Sequence, residues 1–477
     1  MYKGFLLFYL RGLKQLNTQN KIINFAFLKY KEKAFLIQAD TGEIFSFGKL
    51  KQEAQKLISF FTEKGIGKGD TIAFSAGNSP EYFYARIACH YSGAAFIGLP
   101  LTLTQEAREH LLDTTNAALL ITKGQEGLSK NMLLTKPKGI PTPYASLNVS
   151  SSSTQRLPKI IQLSDTNWVE SFYNYLRNSK QKIDKKTVFL STLPLVTAGS
   201  TSFLPFLISG KTNIITKEDS KAEILIGYIQ KYKVTHLVLT PSRLLELLEL
   251  CKIQNQRLKG LESIITGTER FPWQRLKEAI DFFGPIISVG YGMVEALPPI
   301  ALLSPQDYNK IKSVGRIAQG VEVKISDDGR IAIKSKTVAK GYLGAFSESQ
   351  TCFQDGWFYS NDYGYIDQDN FLYILGRKEE ILSRYPRMIF AQEVEESAYT
   401  FSFVNRAAAF VKNERIFIFI SLRSQIPIEE AKDKIITLFK NNFGEFLKWG
   451  EVIIKDALPI NSFGKLDRRK MEEQINS

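Results

Sequence analysis

The sequence predicts an α/β protein: a large N-terminal domain of doubly wound sheets with a small β-barrel, then a small α+β C-terminal domain. Three observations predict it. From residue 70 onward, strand-like and helix-like runs alternate, the pattern of parallel sheets. Around residue 313 the texture changes to alternating apolar and polar residues with Asp-Gly turns, as in antiparallel hairpins. After Gly376-Arg377 a Lys- and Glu-rich segment leads into a mixed strand–helix tail. The domains are therefore drawn at 1–375 and 376–477, with the barrel-like part at about 313–375.

In order, DTIAFSAGNSPEYFYARIACHYSGAAFIGLP holds a short strand (Thr71–Ala76), a Gly-Asn-Ser-Pro turn, a Tyr/Ala/Ile-rich helix and another apolar run. LLDTTNAALLIT reads as a helix end followed by a strand. In KYKVTHLVLTPSRLLELLEL, Val234–Thr240 is a strand and Pro241-Ser242 opens a helix. LESIITGTERFPWQRLKEAI repeats that order, and SVGRIAQGVEVKISDDGRIAIKSKTVAKGYLG carries the hairpin pattern.

The 477 residues are 44% apolar and 23% charged, an ordinary globular composition with room for two or three domains. The excess of 62 Lys+Arg over 48 Asp+Glu gives +14. Those basic residues are scattered and accompany no nucleic-acid motif, so no nucleic-acid partner is expected. Cys89, Cys251 and Cys352 are odd in number and far apart, and His90, His110 and His236 are equally dispersed. This argues against a disulfide framework, a zinc site or a Cys-His nucleophile, and suits a reducing, cytoplasmic compartment.

The first 16 residues, MYKGFLLFYLRGLKQL, are too short to span a bilayer. Two readings stand: an element docked on the body, or an interfacial anchor giving peripheral membrane contact. In the second, Phe5, Leu6, Leu7, Phe8 and Leu10 enter the headgroup region while Lys3, Arg11 and Lys14 meet lipid phosphates.

Two glycine-bearing stretches are not nucleotide loops. LISGKTNII has Pro205 where the Walker pattern needs glycine, and GIGKGD follows no strand. SSSTQRLPKI, residues 151–160, is different: a hydroxyl run meets Pro158-Lys159, but without glycines.

That loop belongs to an ordered series. KGDTIAFSAGNSPEYFYARIACHYSGAAFIGLPL, SSSTQRLPKIIQLSDTN, VTHLVLTPS, IITGTERFP, YGMVEA, DGWFYSNDYGYIDQDNFLYILGRKEEIL and LPINSFGKLDRR follow one another along the chain. Together they resemble the adenylate-forming superfamily of acyl-CoA synthetases, peptide-synthetase adenylation domains and luciferase-like enzymes, from about residue 25 to the end. The resemblance implies an AMP-forming ligase. Such an enzyme joins a carboxylic acid to ATP with Mg²⁺, then passes the acyl group to the thiol of coenzyme A or of an acyl carrier protein's phosphopantetheine.

By that resemblance the catalytic groups are Lys465 on a mobile loop, Glu295 as Mg²⁺ ligand and Lys159 in the phosphate loop. Ser151, Ser152, Thr154 and Arg156 face phosphate. Gly267, Thr268 and Glu269 wall the adenine, and Tyr291, beside Gly292, stacks on it. Asp362 takes the ribose hydroxyls with Arg377 assisting, and Glu379 sits at the hinge between half-reactions. Val196, Ala198, Gly199, Val289 and Gly290 line the acyl pocket. They are small or apolar and no Asp or Lys is placed to meet an amino group, which favours a fatty or aryl acid over an amino acid. Singly, each residue also suits a plain structural role, such as a hairpin cap at Asp362; the order of the series carries the reading.

Several positions depart from the superfamily pattern. The phosphate loop lacks glycines, whose freedom at positive φ lets backbone N–H groups reach phosphate. Arg156 either replaces those donors with its guanidinium or fills their space. Val294 stands where threonine is usual, Asn361 replaces a glycine, and Tyr385-Pro386 occupies a flexible loop on the thiol's path. Two alternatives follow: a weakened or inactive homologue serving as an interaction subunit, and an enzyme that stops at the acyl-adenylate.

Overall fold

The computed structural model describes residues 16–122, 132–134, 146–149, 157–179, 181, 183–384, 387–423, 426–444, 449–459 and 466–475. Of the sequence-derived site, Ser151, Ser152, Thr154, Arg156 and Lys465 lie outside the described residues, as do Tyr385-Pro386 and the first 15 positions.

Two large sheets form the body. The nine-stranded sheet has a parallel centre in the order Ile287–Tyr291, Ser263–Gly267, His236–Leu239, Val188–Ser191, Thr212–Ile215 and Ala34–Gln38. The seven-stranded sheet has Ser146–Val149, Ala95–Gly98, Thr71–Ser75 and Ala117–Thr122 running parallel, and carries Ile160–Leu163 and Tyr342–Leu343 at one edge. The expected strands at 71–76 and 234–240 are Thr71–Ser75 and His236–Leu239, and the helix opened by Pro241-Ser242 is Pro241–Ile253, with Thr240 Oγ1 accepting from the Arg243 N–H.

The core between the sheets is built by helices that are apolar on more than one side. Helix Pro80–Ser92 buries every residue from Tyr82 to Cys89, so water reaches it only at its ends. Among them is Arg86. That guanidinium lies between the rings of Trp168 and Phe203, 4.1 and 4.2 Å from their centroids. Its Nη1 donates to the Tyr82 hydroxyl at 2.6 Å and to the Ser200 carbonyl at 3.0 Å. Two π faces stand where a buried cation normally finds a carboxylate.

The barrel-like part is a five-stranded antiparallel sheet of Val321–Ile325, Arg330–Ser335, Phe353–Gln354, Trp357–Ile366 and Leu372–Arg377. Its last strand crosses the expected domain boundary at 375, because Gly376 and Arg377 still pair with Tyr363 and Asp362. The chain leaves the sheet through the short turn Lys378–Glu380. The C-terminal unit packs helices Ala391–Ala398 and Ile428–Phe443 with the strands Val404–Lys412, Arg415–Leu422 and Trp449–Lys455 around its own core.

At the N-terminal end of the described chain, Leu16 packs on the main core and its carbonyl accepts from Tyr173 at 3.2 Å. No helix among the described residues is long and apolar enough to cross a membrane.

Phe203 is fully buried and stacks on Phe83, His90 and the Arg86 guanidinium at once. Phe203→Ala is expected to remove about 3–5 kcal/mol of stability, read as a lower denaturant midpoint at unchanged slope.

Candidate functional site

The carboxyl ends of parallel strands are where open α/β sheets place ligands. Here two neighbouring strands, Ser263–Gly267 and Ile287–Tyr291, end in facing glycines, Gly267 and Gly290. A Cβ on Gly267 would lie 2.5 Å from the Gly290 carbonyl oxygen, so the register tolerates no side chain there. The next residue, Thr268, holds φ at +74°, rare for a β-branched residue. Glu269 turns back into the protein and accepts the Ser242 N–H at 2.7 Å. The three residues assigned to the adenine wall thus form one bare, sharply turned edge.

Tyr291 continues from the adjacent strand. Its hydroxyl donates to Asp362 Oδ2 at 2.6 Å, and burial with that carboxylate beside it pushes its own pKa well up. Asp362 Oδ1 accepts from Arg377 Nε at 3.1 Å. Asp362 and Arg377 are register partners across the ladder of Trp357–Ile366 and Leu372–Arg377. The buried Asp362 is further fixed by its backbone N–H donating to Ser360 Oγ at 3.2 Å. Arg377 is half-exposed, and the neighbouring carboxylate raises its pKa further. A carboxylate offers about four lone-pair sites. Among the described residues two are used, which leaves one on each oxygen, the number a vicinal diol needs.

Glu295 occupies a second cluster. Its backbone carbonyl accepts from Ala339 N–H at 2.8 Å and its carboxylate accepts the Tyr342 hydroxyl at 3.3 Å. Burial raises its pKa, while Tyr342, Arg377 and Lys159 act in the opposite direction. Lys159 Nζ sits 4.8 Å from the Tyr342 ring centroid and pairs with Glu348 at 2.5 Å. Tyr342 joins these parts because its strand pairs with Ile160–Leu163, directly after Lys159. The two clusters feel each other electrostatically through Arg377 and Glu295.

Other assigned residues fall outside these clusters. Glu379, in the turn after Arg377, accepts from Asn361 Nδ2 at 3.0 Å. Val196 is buried against Gly98, where a Cβ would come within 2.7 Å of it. A Cβ on Gly199 would lie 2.8 Å from the Leu193 and Pro194 carbonyls, so close backbone packing requires that glycine. Ala198 is half-buried, and Val289 belongs to the core of the nine-stranded sheet. Gly290 alone faces open space, with only the Thr266 carbonyl within 4 Å. Gly292 lets Pro298 approach, since a Cβ would lie 2.4 Å from the proline's Cβ.

Sequence reasoning missed Tyr342, Glu348 and Ser360, which hold the assigned residues in place. Their signals are weak: a tyrosine after Lys340-Gly341, an acid in a polar helix, a serine two before Asp362.

With this geometry in hand, the comparisons fall into place. The chain belongs to the AMP-binding enzyme family, whose profile matches residues 26–143 and 144–343. Among its relatives is the 2-succinylbenzoate–CoA ligase of Bacillus pumilus, 25% identical over 93% of this chain and 95% of that one. The 4-coumarate–CoA ligase 1 of Petroselinum crispum is also 25% identical, over 94% of this chain and 92% of its own. Among solved structures, the Bacillus subtilis O-succinylbenzoate coenzyme A synthetase in complex with AMP superposes with a TM-score of 0.79 at 23% identity, covering 94% of this chain and 98% of that one. An amide bond synthetase from Marinactinospora thermotolerans gives 0.83 at 18% identity, covering 96% and 99%.

Tyr291→Phe keeps the ring and removes one donor from the buried Asp362. The expected loss is about 1–3 kcal/mol of folding stability, measured by denaturant unfolding beside the parent chain.

Proposed function

We propose that this protein is an AMP-forming acid–thiol ligase: it activates a fatty or aryl carboxylic acid with ATP and transfers the acyl group to the thiol of coenzyme A or a carrier-protein phosphopantetheine. The observation that carries this reading is the Asp362–Arg377–Tyr291 triad beside the bare Gly267–Gly290 edge. It offers a flat backbone surface for a base and a buried carboxylate with two free acceptor sites for a ribose. The family and the CoA-ligase relatives support the same chemistry.

In the first half-reaction a carboxylate oxygen attacks the α-phosphorus and the bond to the β-phosphate oxygen breaks, releasing pyrophosphate. The protein's task is to bring two anions together and to offset charge on the phosphoryl oxygens. Lys159 and Lys465 supply cations, and Asp362 with Arg377 fixes the sugar. Among the described residues no group of three or more His, Cys, Asp or Glu side chains is placed to hold a metal. Mg²⁺ is usually held by one or two carboxylates with substrate phosphates and water, and Glu295 would be such a carboxylate. When bound, Mg²⁺ neutralises phosphate charge. In the second half-reaction the thiol, having lost its proton, attacks the acyl carbon and AMP leaves, with Glu379 at the turn about which the C-terminal unit rotates.

One observation favours the weakened reading. Lys159 is already paired with Glu348, so a phosphate must displace a carboxylate to reach it. The pair is partly exposed, and such pairs contribute about 0.2–1 kcal/mol. Glu348→Gln is therefore expected to lower KM for ATP by up to about 5-fold with kcat nearly unchanged.

The deciding assay is ATP–pyrophosphate exchange across a broad panel of fatty and aryl acids, with Lys465→Ala as control. Exchange is expected to fall by about 100- to 1,000-fold in the control, the usual effect of removing one transition-state charge partner. Exchange by the parent chain that never exceeds the control favours a non-catalytic binding subunit. Exchange without thioester product on either thiol favours an enzyme that ends at the acyl-adenylate.

A further inference from the structure

Arg86 has 1% of its surface exposed and stands in the core without a counter-charge. The titratable groups that act on it are Tyr82 and Cys89 of its own helix, and it acts in turn on His90. None of them supplies a negative charge. Burial pushes the Tyr82 hydroxyl and the Cys89 thiol up, which keeps both protonated. Burial, with the Arg86 charge beside it, pushes His90 down to about 3, which keeps it neutral. The other elements packed on Arg86 bring the rings of Trp168 and Phe203 and the Ser200 carbonyl, all uncharged. Burial pulls the guanidinium's own pKa down, but from so high a starting value that the group keeps its charge. Cation–π contact offsets part of the cost of burying that charge, and the remainder calls for an anion.

The geometry of the group indicates which anion. Nη1 is occupied by Tyr82 and Ser200, while Nε and Nη2, both buried, have no hydrogen-bond partner among the described residues. Those two nitrogens form the side-on fork of a guanidinium, whose parallel N–H bonds match the two oxygens of one carboxylate. Trp168 and Phe203 cover the faces of the group, so a ligand meets it only in its plane. A water molecule there satisfies hydrogen bonds and leaves the charge unmatched. Ser200, the other partner of Arg86, belongs to the turn Ala198–Ser202, which carries Ala198 and Gly199 of the assigned acyl pocket. We propose that Arg86 is a carboxylate receptor, separate from the Asp362–Arg377 clasp. Its ligand is a free carboxylate or a second, distal carboxylate on the acid being activated. The second source rests on the ligase reading, and the first does not.

Two measurements test the proposal. Denaturant unfolding is followed in sodium acetate and in sodium chloride at equal ionic strength. It is run on the parent chain and on Arg86→Met and Arg86→Gln, either of which serves if the other does not fold. The parent's folding equilibrium constant is expected to rise about 2-fold at an acetate concentration equal to Kd and about 10-fold at ten times it. The variants are expected to show no such rise. ATP–pyrophosphate exchange is then compared between monocarboxylic acids and chain-matched acids bearing a second, distal carboxylate. If the substrate is the source, kcat/KM for the diacid exceeds that for the monoacid by about 10- to 100-fold, the effect of one charge-assisted contact, and the variants lose that preference. An acetate response confined to the parent supports the receptor, and the exchange result then names the source. A diacid preference lost with Arg86 supports it even without an acetate response, because the acid then carries the carboxylate to the fork. The same acetate behaviour in parent and variants, together with no Arg86-dependent diacid preference, overturns the proposal and leaves water at the fork. Should the parent chain exchange pyrophosphate with no acid, the ligase reading fails, and the unfolding comparison alone decides on Arg86.

Discussion

The in-register pairing of Asp362 with Arg377 ties the parts of this molecule together. Burying a carboxylate is tolerable only when its charge is matched and its lone pairs are met. Ser360 and Tyr291 fix the acid from within the large domain, and Arg377 meets it from the last strand before the chain departs. One ladder position therefore fixes the buried acid and the point at which the chain leaves the sheet. The turn that follows is bound on both sides, Glu379 to Asn361 and Glu380 to the Arg377 N–H and Arg468. The clasp and the exit turn are thereby mechanically linked.

Much of this was legible from the sequence, for stated reasons. Thr71–Ser75 and His236–Leu239 are short apolar runs bounded by turn residues, and their period identifies them. Asp362 and Arg377 were legible because they lie in one hairpin of the most specific motif. The strand Leu372–Arg377 runs two residues past the boundary drawn at 375, since composition changes at the charged run while pairing continues through Arg377. Gly199 was assigned to the acyl pocket; the packed carbonyls of Leu193 and Pro194 give it a backbone reason as well. Long-range partners were not legible. Nothing local announces that Glu395, in an acidic stretch that resembles a solvated face, is buried between arginines more than a hundred residues apart in sequence.

The same blindness applies to the departures from the superfamily pattern. Read singly, each looks like a loss. In the structure one of them sits in a new pair: Asn361, where a glycine is usual, donates to Glu379, while Lys159, which the loop keeps, is held by Glu348. A substitution that only decays leaves unpaired groups, whereas these are matched with donors and acceptors in ordinary geometry. Their energetic weight is small. Half-exposed pairs contribute up to about 1 kcal/mol, roughly a factor of five in an equilibrium constant, against the much larger interaction of a nucleotide's phosphates with fixed cations and metal. On that arithmetic the pair at Asn361 is a small adjustment, and the case for an inert scaffold rests on the phosphate loop, Val294 and Tyr385-Pro386.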